Sequence, residues 1–187
     1  MMALGIGFPN VAFFHLITHA LFKALLFICA GTVLHRNSHV QDIRLLGNVW
    51  WSAPFVARSL NVANLALCGF PFLAGFYSKD LILERFLIGV YPGVTYVFSL
   101  LTICMTAAYS MRLSLYLLWS PAKLRLVNRV DGRITSHLGI ITLLFGAVAG
   151  GAFGRSFFLP SLELVTLPVV LKVFGLIMVV FFRMAAL

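Results

Sequence analysis

His15, His19 and Lys23 follow one another at i, i+4, i+8 inside an apolar run, residues 11–34. On a helix each such step turns about 40° and rises about 6 Å, so the three make one polar stripe. Thr18 and Thr32 add hydroxyls to the same run. Imidazole titrates near neutrality, and a lysine taken out of water has its neutral form favoured, so such a row can pass protons. A lysine at mid-membrane costs about 2.5–3.5 kcal/mol on insertion scales and marks function by default. Two other chemistries fit the same residues. They could serve as polar glue between helices, at about 1 kcal/mol per contact. His15 and His19 could also share a metal or haem, although no carboxylate or cysteine stands close to them along the run.

A second cluster is Lys79, Asp80 and Glu84, just past GFPFLAG at residues 69–75. Gly and Pro there free backbone N–H and C=O groups, which is tolerated at membrane depth only inside protein or beside water. Lys79 would titrate beside that break, with Asp80 or Glu84 tuning its proton affinity. The competing reading is a solvated helix end at the membrane surface, with Ser78 as its cap. Lys172 lies about ten residues into a late apolar run that Glu163 opens; extending the relay and snorkelling to the surface are equal readings of it. Arg58, Arg112 and Arg183 read as interfacial anchors, and Trp50, Trp51, Tyr109, Tyr116 and Trp119 as an aromatic belt. Gly146, Gly150 and Gly154 form overlapping GxxxG motifs, which predict a close helix–helix contact.

The elements that must carry these residues follow from composition. The chain has 187 residues, 61% hydrophobic and 10% charged. Soluble domains are roughly 45–50% apolar and about 25% charged. An ordinary soluble enzyme and a disordered tail are therefore excluded. The sequence predicts an all-α polytopic transmembrane helix bundle, with about five spans at roughly 20 residues each. They fall at residues 11–34, 52–89, 94–119, 137–153 and 162–182.

Residues 52–89 are the exception, being interrupted at 69–75 and charged afterwards. If they cross once, the loop with Arg36 and Arg44 and the loop with Lys123, Arg125, Arg129 and Arg133 share a side; if they cross twice, the loops are opposed. The positive-inside rule selects one crossing by a broken helix, with Met1 outside and Leu187 inside. The same rule explains 14 Lys and Arg against 5 Asp and Glu, a net charge of +9 that does not call for nucleic acid. Cys29, Cys68 and Cys104 lie in apolar runs without a CxxC pair, so neither a disulfide framework nor a metal site is expected. The first basic residue is Lys23, which argues against a cleavable signal or transit peptide. No GxGxxG, P-loop, GxSxG or HExxH motif is present. The residues alone reach a proton- or cation-conducting membrane subunit.

Two strings, FHLITHALFKALLF (14–27) and LCGFPFLAGFYSKD (67–80), resemble the antiporter-like subunit 5 of NADH:ubiquinone oxidoreductase, respiratory complex I. QDIRLLG (41–47) is similar to the same subunit, and NVANLALCG (61–69) to its invertebrate mitochondrial versions. The resemblance is strongest over residues 5–115, and the tail matches in layout, with Lys172 in a late helix.

That resemblance implies a mitochondrial inner-membrane protein that moves protons, driven by quinone reduction elsewhere in the complex. It implies that His15, His19 and Lys23 form the hydrophilic axis of the second half-channel, with Lys79 the terminal lysine and Asp80 beside it. It implies no cofactor on this chain, FMN, iron–sulfur clusters and ubiquinone belonging to the rest of the complex. The implied partners are other membrane subunits and lipid, with no nucleic acid and no soluble small-molecule substrate. Similar subunits are much longer, with a first half carrying its own broken helix and a lateral helix at the end. Residues 1–187 are therefore expected to be one transmembrane domain, the C-terminal half-channel, lacking the N-terminal half and the lateral helix. Two other classes compete: a subunit of a multi-subunit sodium(potassium)/proton antiporter, and a structural membrane spacer.

Overall fold

The computed structural model of the chain describes residues 2–5, 7–37, 40–88, 93–121 and 134–158. All the regular structure among them is helical. A single turn, α1 (Met2–Gly5), precedes the 28-residue α2 (Pro9–Arg36). Pro9 opens α2, where a missing N–H costs nothing and the ring presets φ. At 1.5 Å per residue α2 is about 42 Å long, enough to cross a bilayer with ends in the headgroups. A short α3 (Val49–Ser52) leads into α4 (Pro54–Cys68), again started by proline. Next come α5 (Ala74–Ile88), α6 (Gly93–Ser114) with a π-helical turn at Leu115–Trp119, and α7 (Ile134–Phe158).

Among the described residues, three helices, around Pro9–Arg36, Val97–Trp119 and His137–Phe158, are each long and apolar enough to cross a membrane. The helices α4 and α5 have 15 residues apiece. Each alone reaches about 22 Å, short of the roughly 30 Å hydrocarbon core. Laid end to end they match the length of α2. At one end of α2 the Arg36 guanidinium donates to the Ser52 carbonyl at 3.2 Å. At the other end the Arg85 guanidinium lies 4.9 Å from the centre of the Phe8 ring. The α4–α5 pair therefore runs antiparallel to α2 along its whole length. No hairpin returns to the starting side, and the expected broken helix is present. The final apolar run, 162–182, lies outside the described residues.

The same end-to-end contacts orient the rest. Trp50 stacks on Trp119 with ring centroids 5.4 Å apart, and Phe55 meets His137 at 5.1 Å. Phe158 reaches Phe13 and Phe14 at the opposite end. Helices α2 and α6 thus run one way, and α4–α5 and α7 the other. Arg36, Arg44 and the helix ends flanking residues 122–133 share one side, hereafter the basic end, as the charge pattern requires.

Packing follows from small residues. The main core joins Leu25, Cys29 and Val33 of α2 to Ala57, Leu60 and Ala63 of α4 and Ile140 and Ala147 of α7. The α7 glycines lie against α2 as their motif predicts: a Cβ at Gly146 or Gly150 would meet Leu21 at 3.2 Å, and one at Gly154 would meet Phe14 at 2.6 Å. Without a hydrophobic drive between helices in lipid, such close approach is the main source of association. Phe27, Phe98, Phe145, Phe153 and Phe157 stay on the outside, where hydrocarbon can solvate them.

Candidate functional site

The break that positions Lys79 is built by residues 69–73. Helix α4 closes with two backbone bonds: Gly69 N–H donates to Ala66 O at 3.1 Å and Phe70 N–H to Leu65 O at 3.0 Å. This is a Schellman closure, which needs a left-handed residue after the helix. Gly69 supplies it with φ +82°, where any L side chain would cost about 1–2 kcal/mol. Phe72 also holds a positive φ of +69°, so the non-helical connection carries local strain. The chain then turns so sharply that α5 starts beside the last turn of α4. A Cβ on Gly75 would collide with the Ala66 carbonyl. The alkyl stem of Lys79 lies over Gly69, whose missing Cβ would sit 3.5 Å from Lys79 Cδ.

Two neighbouring residues of α5 then face two different helices. Ser78 is fully buried and turned toward α2, where its Oγ lies 3.0 Å from His15 Nδ1. The half-buried Lys79 turns toward α6 and its Nζ donates to Thr106 Oγ1 at 3.1 Å. Asp80 follows, close enough for its carboxylate to act on the Lys79 charge. The Ser78 hydroxyl also lies 3.4 Å from the carbonyl oxygens of Ala74 and Gly75. When it donates to either carbonyl, it can accept an N–H from His15. When His15 Nδ1 is bare, the hydroxyl can rotate and donate to it instead. One buried hydroxyl thus accommodates both protonation states of the ring.

The polar stripe of α2 is placed in steps. The rings of His15 and His19 have centroids 5.8 Å apart, and His19 meets Phe22 edge-on at 5.2 Å. Val11, Phe14, Thr18, Phe22, Leu25, Cys29 and Val33 form the buried seam of the helix. The expected shelter of all three stripe residues by one packed face is only partly realised. His15 and Lys23 are half-buried and His19 is exposed in this chain. Each step carries the stripe about 40° further from the buried seam, which turns His19 outward, while Lys23, further round the helix, is again partly covered.

The reading of Ser78 as a helix cap is corrected. Helix α5 begins at Ala74, so Ser78 is a full turn inside it and bonds His15. Glu84 belongs to α5, its side chain lying outside the described residues, as do Lys172, Glu163 and Arg183. Arg58 and Arg112 are exposed, and Arg112 lies 5.8 Å from the Tyr116 ring centre, as an interfacial anchor would. Among the described residues, no three His, Cys, Asp or Glu side chains gather as a metal site.

Sequence reasoning missed Ser78 as a bridge and the hydroxyls of α6. Thr106, Ser110 and Ser114 recur every four residues, a signal as regular as the histidine stripe. Ser110 Oγ lies 2.8 Å from Cys68 Sγ, so the end of α4 and the start of α5 both meet this row.

Residues 1–106 match the family model described as NADH:quinone oxidoreductase/Mrp antiporter, transmembrane. Residues 109–187 match one for the C-terminus of NADH dehydrogenase subunit 5. The chain belongs to the NADH:quinone oxidoreductase/Mrp antiporter transmembrane family. It is 40% identical over 173 residues to NADH-ubiquinone oxidoreductase chain 5 of Aedes aegypti, covering 92% of this chain and 30% of that protein. It is 46% identical over 121 residues to the Lumbricus terrestris protein of that name, covering 65% of this chain and 21% of the relative. The Ceratotherium simum protein is 36% identical over 189 residues, covering 100% of this chain and 31% of the relative. The chain thus spans about a third, or less, of the length of these curated relatives.

Proposed function

We propose that this chain is the C-terminal half-channel of a proton-translocating subunit of NADH:ubiquinone oxidoreductase, in the mitochondrial inner membrane among other membrane subunits. The observation that carries the reading is the junction at the helix break. Ser78 bonds His15 of the α2 stripe, and Lys79 beside it bonds α6. A proton arriving along His19 and His15 would be held at the His15–Ser78 contact. Its passage to Lys79 needs one residue's advance along α5, over flexible side chains. Lys79 can hold the proton because Thr106 accepts its N–H at 3.1 Å. Lys23 extends the stripe toward the basic end, and Asp80 adjusts how tightly Lys79 holds its charge.

In this reading, FMN, iron–sulfur clusters and ubiquinone act in other parts of the complex, and this chain contributes no redox step. The sequence similarity to NADH-ubiquinone oxidoreductase chain 5 supports this reading over a stand-alone antiporter, whereas the transmembrane family includes both. The test uses the assembled complex in sealed vesicles. NADH oxidation should drive proton movement without a sodium requirement, and Lys79→Met should reduce it. Sodium- or potassium-driven proton exchange without NADH would favour the antiporter.

A further inference from the structure

Helix α4 starts at the basic end with basic groups around it. Arg36, at the end of α2, donates one N–H to the Ser52 carbonyl at 3.2 Å, two residues before Pro54 opens α4. That is its only hydrogen bond among the described residues, and a guanidinium has five N–H groups. Arg58 lies on the exposed side of α4, one turn beyond Phe55. It makes no hydrogen bond or ion pair among the described residues. The Cα–Cβ bonds of a helix tilt toward its N-terminus, so Arg58 reaches back over Phe55 toward the basic end. Phe55 in turn meets His137 of α7 edge-on, with ring centroids 5.1 Å apart. A histidine ring carries an N–H donor in either charge state. Among the described residues, the carboxylate at this end is Asp42, whose Oδ1 already accepts the Arg44 backbone N–H at 2.9 Å.

Below these donors α7 presents an apolar stripe. Ile141, Phe145 and Val148 follow His137 at i+4, i+8 and i+11, so the four share one face. The three apolar side chains are exposed. Both α4 and α7 run inward from the basic end, so the stripe begins at the donors and continues for about 16 Å of membrane depth. Phosphate-binding groups at headgroup level with hydrocarbon contacts beneath them match a phospholipid standing parallel to the helices. Guanidinium and phosphate pair through charge-assisted, often bidentate hydrogen bonds. A zwitterionic lipid brings its own ammonium to this excess of positive charge, and an anionic lipid does not. A free phosphate ion would use the donors alone and leave the stripe without a role.

We propose that Arg36, Arg58 and His137 bind the phosphate of an anionic phospholipid whose acyl chain lies along Ile141, Phe145 and Val148. The site is separate from the proton relay at the helix break and does not depend on it.

The test uses phosphatidylglycerol and phosphatidylcholine, each carrying the same diazirine midway along one acyl chain. Assembled complex in phosphatidylcholine vesicles would receive a trace of one probe and be illuminated, and the labelled residues would be mapped by mass spectrometry. Phosphatidylglycerol should label residues 141–148 at least about fivefold more than phosphatidylcholine, the worth of one basic side chain near anionic lipid. Arg58→Gln should remove most of that preference, and Arg58→Lys should keep it. Arg112→Gln, which removes another exposed arginine from a different helix, should leave it unchanged. Excess glycerol phosphate in solution should not reduce the labelling.

Equal labelling by the two probes would overturn the proposal and leave ordinary lipid solvation. So would absence of label from both, which would mean that protein covers the stripe. A preference that survives Arg58→Gln, or that glycerol phosphate abolishes, would also overturn it. The comparison of the two probes on the unaltered complex decides the matter even if Arg58→Gln fails to assemble.

Discussion

Ser78 Oγ lies 3.0 Å from His15 Nδ1, across 63 residues of sequence. This contact ties the histidine stripe of α2 to the helix break that carries Lys79. It also requires α5 to start where it does. One residue of slippage would turn Ser78 about 100° away from α2.

Ser78→Ala should therefore leave the bundle assembled but slow proton movement. The lost hydrogen bond is worth about 1 kcal/mol in stability. If the transfer barrier rises by as little as about 1.4 kcal/mol, the step slows tenfold. Fluorescence quenching of a pH-sensitive dye in vesicles, normalised to NADH oxidised, measures it. Unaltered quenching would mean that His15 passes its proton elsewhere.

Lys23→Met keeps an unbranched side chain of nearly the same length and deletes its charge. Assembly should stay near normal on native gels, since Lys23 is only half-buried. Protons moved per NADH should fall. If assembly falls and the ratio holds, the stripe is a packing device.

The backbone at the break gives a prediction about stability rather than transport. Gly75→Ala places a methyl group into the Ala66 carbonyl. Overpacking of this kind costs about 1–3 kcal/mol. Gly69→Ala forces a left-handed alanine and costs about 1–2 kcal/mol. Both should lower the thermal stability of the assembled complex, Gly75→Ala the more. Equal stability of the two variants would contradict the close approach of α4 and α5.

Much of this architecture was legible in the sequence because lipid imposes simple rules. The apolar runs around Leu25, Ile103 and Ala147 had to be helices. The charges at Arg36 and Arg44 fixed the parity of the crossings, and Gly69, Pro71 and Gly75 marked the interruption. The partners of the polar residues were not legible. Nothing local in the sequence states that Ser78 meets His15, because that depends on how far α5 slides along α2. Thr106, Ser110 and Ser114 were overlooked for a different reason. Hydroxyls in membrane helices commonly bond their own backbone, as these do, so their spacing reads as ordinary until a partner such as Lys79 is placed beside them. The exposure of His19 was also hidden, because a 40° drift per step becomes visible only once the buried seam is known.

The central claim is that Lys79 takes up and gives up a proton at the helix break. The most direct test is the number of protons moved per NADH oxidised by the assembled complex carrying Lys79→Arg. Arginine keeps the positive charge and the reach toward Thr106, but it does not release its proton. The account predicts normal assembly with a reduced ratio, similar to that of Lys79→Met. A normal ratio in the arginine variant would contradict it, because a fixed charge would then suffice.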